Sequence, residues 1–391
     1  MGWVKFPPLY FMITNFLIAG LLLMPWVFIP MAKMADPFRL PKATFFDLIC
    51  ISIIVLSFFK GVNYRYMNKY LAIFVGWVFT SIFFYWYVPF TNTIHNTQQV
   101  NFFIIAPMIH FILGLWTTQI VLSVFEKEDF IKIAKAICLS SMLITAFGIT
   151  QVLGFNPISS FRYLYTEYMP NFTALLDHPS MVGNYLCLSL PFFILFKGKK
   201  YIFGFIFVLI GLILTKSDIS LFAFAFSMFL LLLLKIRENK KLLFGIIIIA
   251  LLLSCLVYVN TDQKIIDKRL EGRLGIWQTG YSHLKDNPLF GQGFGVVRTF
   301  NERVDNGKLI ANFHNDWLNL GVELGFVGVF LLILIIVNSF RHFNYDNQNI
   351  LGIVYLLSFV SFLIIMVGSF PLEFAPNALL GLVGWWGVEK L

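Results

Sequence analysis

The chain has 391 residues, 59% of them hydrophobic and 13% charged, with a mean hydropathy of +0.80. That balance excludes a soluble globular domain, because apolar runs of about 20 residues recur along the whole length. The net charge of +9 is accounted for by loop lysines and arginines that orient a membrane protein, so nucleic acid is not implied as a partner.

Windows of about 19 residues place predicted spans at 9–30, 44–59, 69–88, 99–124, 130–153, 179–196, 201–215, 218–234, 242–260, 315–338, 349–367 and 371–388. Each must be helical, since backbone polar groups in lipid need partners within their own segment. Runs such as Leu231 to Leu234 and Ile246 to Ile249 lack the alternation of a transmembrane β-barrel. The expected fold is therefore an all-α polytopic membrane protein of about 12 helices, with residues 1–391 as a single transmembrane domain. The first apolar run is too long for a signal-peptide core and reads as an uncleaved span. With the N-terminus inside, the cytoplasmic segments hold 16 lysines and arginines and the short outer segments hold 5. Both termini are thus expected in the cytoplasm. Two segments then face outward: a smaller one at 154–178, and a large one at 261–313 expected to contain short helices. Cys50, Cys138, Cys187 and Cys255 all fall in predicted spans without a CxxC pair, which implies neither disulfides nor a zinc site.

The large outer segment carries most of the chemistry-bearing residues. Lys264, Lys268, Arg269 and Arg273 precede Trp277. On a helix, 264 and 268 share one face and 269 and 273 a neighbouring one. Such a helix lies on anionic lipid, or else cradles a phosphate or diphosphate, for which the planar guanidinium fork is suited. Arg273 is the better phosphate candidate, because Trp277 one turn later is placed to stack on it. Asn287-Pro288 and the glycines through Gly295 read as a turn that shapes the segment rather than as a nucleotide loop.

His314 follows, at the mouth of the tenth span, with Asn312, Asn315, Asp316 and Asn319 nearby. A histidine there is either a cap or a general base working near neutral pH. Asp316 either orients it or caps the helix. Glu323 lies two turns into the span, where an ionisable group is costly and points to function. Gly321, Gly325 and Gly328 read as small residues for close helix packing. His178-Pro179 opens the sixth span, with Asn184 and Tyr185 one to two turns in. His95, His110 and His283 show no paired spacing, and no metal-ligand pattern such as HExxH occurs.

Arg273-Leu-Gly-Ile-Trp277, Asn287-Pro-Leu-Phe-Gly-Gln-Gly-Phe-Gly295 and His314-Asn-Asp-Trp-Leu-Asn-Leu-Gly-Val-Glu-Leu-Gly-Phe-Val-Gly328 together resemble the O-antigen ligase and O-antigen polymerase superfamily. Asp177-His-Pro-Ser-Met-Val-Gly-Asn-Tyr185 is similar to a further family segment. The resemblance implies an inverting glycosyltransferase of the bacterial inner membrane. It works at the periplasmic face without cofactor or metal. Its donor is a glycan on undecaprenyl diphosphate, and its acceptor is lipid A-core or another glycan. It further implies His314 as base and Arg273 as the diphosphate ligand, aided by Arg269, Lys268 and Lys216. Trp277, Asn315, Asp316, Glu323, His178 and Tyr185 are expected to support and orient.

One position departs from the family. Thr215-Lys-Ser-Asp218 stands where the family commonly has Thr-x-Ser-Arg, so a carboxylate replaces an expected phosphate-side arginine and Lys216 is the cation left there. Either this branch assigns the role differently, or the position is altered so as to weaken catalysis. Ligation to lipid A-core is the leading expectation and polymerisation of lipid-linked repeats the alternative. A lipid-linked glycan flippase or transporter is the rival from another class; it would need charges deep in the bundle or two related halves.

Overall fold

A computed structural model describes residues 9–27, 39–59, 69–87, 97–155, 172–176, 178–235, 263–300, 312–343 and 349–391. The ninth predicted span, most of the 154–178 segment, Asp177 and residues 301–311 lie outside these, as do the side chains of Lys268 and Arg269.

The regular structure among the described residues is helical, without strands. In chain order they form α1 (Leu9–Leu23), α2 (Arg39–Phe59), α3 (Lys69–Tyr87), α4 (Thr97–Val124), α5 (Lys127–Val152) and α6 (Pro179–Ser189). Then come α7 (Lys199–Leu214), α8 (Asp218–Lys235), α9 (Gln263–Asp286), α10 (Asp316–His342), α11 (Ile350–Gly368) and α12 (Ala375–Lys390). Every predicted span that falls on described residues coincides with a helix. Among the described residues four helices are long and apolar enough to cross a membrane: Pro41–Phe58, Lys127–Val152, Asp316–His342 and Ile350–Gly368. Prolines explain the main departures in length. Pro25 ends α1 in a 3-10 turn at Met24–Trp26, and Pro191 tightens the end of the sixth span into a 3-10 segment, Leu190–Leu195.

The 261–313 segment differs from expectation in form. Its first part is one 24-residue helix, α9, rather than several short ones. Arg273, Trp277, Gly280 and Leu284 recur at three- and four-residue steps and so lie on one face of the helix.

α11 forms the centre of the bundle, packed against α8, α12 and the 3-10 segment after α6. The glycines Gly381, Gly384 and Gly387 bring α12 against it, since a Cβ at each would overlap Phe362, Phe359 or Tyr355. Side-chain polar bonds tie the packed helices. Tyr355 donates to the Phe130 carbonyl (2.7 Å), Ser358 to that of Leu188 (2.9 Å), and Trp386 Nε1 to Thr118 (2.9 Å). α3 and α9 both pack against α10.

Candidate active site

The site begins with a break in α10. Gly325 has φ 66° and ψ −175°, a conformation that is essentially glycine-only. In an unbroken helix the carbonyls of Val322 and Glu323 would accept from Phe326 and Val327. Here Val322 O accepts from Gln292 N (2.8 Å) and Glu323 O from Gly293 N (2.9 Å). Phe326 N and Val327 N donate instead to the carbonyls of Pro288 (2.8 Å) and Leu289 (3.1 Å). Leu324 O takes the indole N–H of Trp77 (3.0 Å). The glycine-rich turn thus substitutes for a missing helical turn, satisfying groups that lipid could not. Both backbones must touch. A Cβ at Gly291, where φ is 75°, would overlap the Glu323 carbonyl, and one at Gly325 the Leu289 carbonyl. The stripe Gly321, Gly325, Gly328 is therefore not a helix-packing surface at its centre. Gly321 meets Leu284 only at an ordinary 3.7 Å.

The short first half of α10 carries His314 at its mouth. His314 has φ 51°, left-handed for a side-chain-bearing residue, a strain of about 1–3 kcal/mol that surroundings must hold in place. Its N–H donates to Asn312 Oδ1 (3.0 Å), and its ring stands edge-on to Phe370 at 5.0 Å. The helix cap is Asn315, whose side chain accepts from Leu318 N (3.0 Å). Asp316, 2% exposed, is not the cap. Its carboxylate accepts from Leu372 N (2.9 Å) and Asn319 Nδ2 (3.5 Å), while its own N–H donates to the Ser369 carbonyl (3.3 Å). Asn319 accepts from Phe313 N (3.0 Å) and donates to Glu373 Oε1 (3.3 Å). The backbone on both sides of His314 is thereby clamped to residues 369–373. Glu373 and Glu323, the latter buried, both bear electrostatically on Asp316.

α9 carries Arg273. At Gly280 it presses onto Phe313 and Leu318, where a Cβ would come within 2.8 Å and 2.7 Å. Trp277 and Arg273, three and seven residues earlier, share that face. Arg273 is thus about 10 Å along the axis at 1.5 Å per residue. Among the described residues Arg273 makes no hydrogen bond, ion pair or cation–π contact, so the expected stack on Trp277 is not formed. The Trp277 Nε1 atom is buried and has no acceptor among the described residues. His283 stacks on Phe300 at 4.1 Å, and its carbonyl accepts from Gln292 Nε2 (2.7 Å), pinning the glycine-rich turn to α9.

The remaining predicted residues lie on α6 and at the α7–α8 turn. His178 caps α6, accepting from Ser180 N at Nδ1 (3.1 Å). Tyr185 is fully buried, its hydroxyl shared with Ser140 (2.9 Å) and the Leu21 carbonyl (3.4 Å), which joins α6 to α5 and α1. Lys216 is exposed with φ 52°, and Asp218, also exposed, opens α8. Beneath them Ser217 and Ser220 share a hydrogen bond (2.7 Å). Ser220 donates to Asn184 Oδ1 (2.8 Å), and Asn184 Nδ2 donates to Ser369 Oγ (3.1 Å).

Sequence reasoning missed Glu373 and gave Asn184, Asn319 and Ser369 no role. Glu373 carried a usable signal: it falls inside the predicted span 371–388, where an ionisable residue asks for a reason. His110 also has a partner that spacing could not show, Asp47 on α2, with Nδ1 to Oδ1 at 2.6 Å.

Residues 203–333 match the family model described as O-antigen ligase. The match spans α7 to the second half of α10 and contains Lys216, Arg273 and His314; it does not reach His178, Tyr185 or Glu373. No curated protein matches the chain.

Proposed function

We propose that this chain, similar over residues 203–333 to the O-antigen ligase family, is a membrane glycosyltransferase that moves a glycan from undecaprenyl diphosphate to a hydroxyl of lipid A-core. The family match supports an O-antigen ligase- or polymerase-like membrane glycosyltransferase. The observation that carries it is the strained, doubly clamped His314 turn beneath the face of α9 that bears Arg273.

In this reading the acceptor O–H gives its proton to His314 as its oxygen attacks the anomeric carbon. The bond from that carbon to the carrier phosphate breaks, and the electron pair leaves with the diphosphate. His314 is suited to the first task because an imidazole can take up a proton near neutral pH. Arg273, paired with no anion among the described residues, is suited to the second, since fixed cations stabilise charge that develops on a leaving group. Asp316, Asn319 and Glu373 act through the backbone that presents His314. Lys216 stands as the cation on the opposite junction, with Asp218 opposing it. Both termini in the cytoplasm and an inner-membrane location complete the reading, which needs neither metal nor cofactor.

The test is transfer from undecaprenyl diphosphate-linked glycan to purified lipid A-core with a chelator present. Glycosylated core from the wild type, lost in His314→Ala and Arg273→Ala that remain folded, is the expected result. Longer lipid-linked chains in place of core product would assign polymerase activity instead. The His110–Asp47 pair between α4 and α2 is the observation a flippase reading would use. Glycan translocation lost in Asp47→Asn but kept in His314→Ala would replace the transferase reading.

A further inference from the structure

Two parts of the proposed site come from distant stretches of chain: the Thr215–Asp218 turn with Lys216, and the Ser369–Glu373 segment that clamps His314. Asn184 touches both. Its side-chain oxygen accepts from Ser220, which is bonded to Ser217 in the turn, and its side-chain nitrogen donates to Ser369. Ser369 in turn accepts the N–H of Asp316 through its carbonyl and precedes Phe370, the ring against His314. Every member of this relay is buried: Ser217 5%, Ser220 0%, Asn184 0%, Ser369 4% and Asp316 2% exposed.

Two further observations show that the approach is built for closeness. The neighbouring Gly183 lies so near the turn that a Cβ would come within 2.7 Å of Ser217 Cβ and 2.9 Å of Thr215 Oγ1. Lys216 is held at φ 52°, so the turn that presents it is a fixed shape rather than a slack connection. An asparagine suits the junction because one planar amide offers an acceptor to one neighbour and a donor to the other.

We infer that Asn184 is a positioning residue for the proposed transfer, setting the separation between Lys216 and His314 by bonding the turn of one to the clamp of the other. This rests on the transferase reading above. A misplacement of about 1 Å is enough to lower a rate up to 100-fold when two groups must act on one substrate, so the expected signature is a fall in kcat with little change in donor KM.

The experiment uses the full-length protein in detergent and the core-transfer assay. Asn184→Leu keeps the volume and removes both bonds; Ser369→Ala and Ser220→Ala each remove one while barely changing the packing. Each is expected to lower kcat about 10-fold or more. Combining Asn184→Leu with Lys216→Ala should give no further loss in kcat beyond Lys216→Ala alone, whereas a merely structural role would make the two losses multiply. Should Asn184→Leu fail to fold, the same comparison made with Ser369→Ala decides the matter. Full kcat in the folded variants, or multiplicative losses with Lys216→Ala, would overturn the inference while the transferase reading stands. A wild type that transfers nothing would overturn both.

Discussion

Replacing Gly325 with alanine, beside Gly321 with alanine, separates a broken helix from a packing stripe. The two glycines stand one turn apart, and a stripe would make them equivalent. The structure does not. At Gly321 a Cβ meets nothing nearer than 3.7 Å and the backbone is helical, so Gly321→Ala should be neutral or stabilising by about 0.5–1 kcal/mol. At Gly325 the backbone region alone costs a side-chain-bearing residue about 1–3 kcal/mol. A Cβ there would also sit 2.6 Å from Gly291 N, so the crossing turn must retreat by roughly 1 Å to reach ordinary contact. That movement lengthens the four backbone bonds between residues 288–293 and 322–327, each contributing about 0.5–1.5 kcal/mol. Strain and lost bonds together give at least about 3 kcal/mol. Unfolding by SDS in mixed micelles measures both variants on one scale. Equal effects of the two alanines, or a Gly325→Ala loss below about 1 kcal/mol, would refute the account of the break.

Arg273→Ala should leave stability within about 0.5 kcal/mol, because no partner among the described residues is lost, yet cut kcat/KM for the donor about 10- to 100-fold if charge-assisted bonds to the diphosphate are removed; the same SDS titration and a donor-dependence assay check both halves. Asp218→Arg should raise transfer while lowering stability by about 0.3–1 kcal/mol, since an acidic group at the start of α8 is favoured by the helix dipole; lower transfer with the arginine would mean that the junction does not face the donor. Glu373→Gln keeps a side-chain oxygen for Asn319 and removes a charge that opposes Asp316, so the variant should be at least as stable as wild type, with Glu373→Ala less stable than either.

Helix positions were legible because burial in lipid writes itself into the sequence as runs of about 20 apolar residues, and the motif that holds His314 was legible because its polar residues sit together at a helix start. The glycines at 321, 325 and 328 were misread because small residues at helical spacing look the same whether they admit a neighbouring helix or a crossing turn; the difference lies in φ at Gly325, which no spacing encodes. Trp277 at i+4 from Arg273 satisfied the geometry of a stack, but helical neighbours need not touch. Asp316 stood where a cap belongs, and Asn315, one residue earlier, fills that role. The relay through Asn184 was invisible for a plainer reason: Ser220 and Ser369 are 36 and 185 residues away from it, and only tertiary packing brings them together.

The break in α10 also bears on how the protein is made. Trp77, Pro288, Leu289, Gln292 and Gly293, which satisfy the backbone around Gly325, all precede it in the chain. Synthesis from the N-terminus therefore delivers the patch before the gap. When the tenth helix emerges, a pre-existing turn is ready to receive its bare carbonyls and amides, and at no stage need they face hydrocarbon alone. A circular permutation that placed α10 ahead of α9 would reverse that order and leave the same contacts to be found too late.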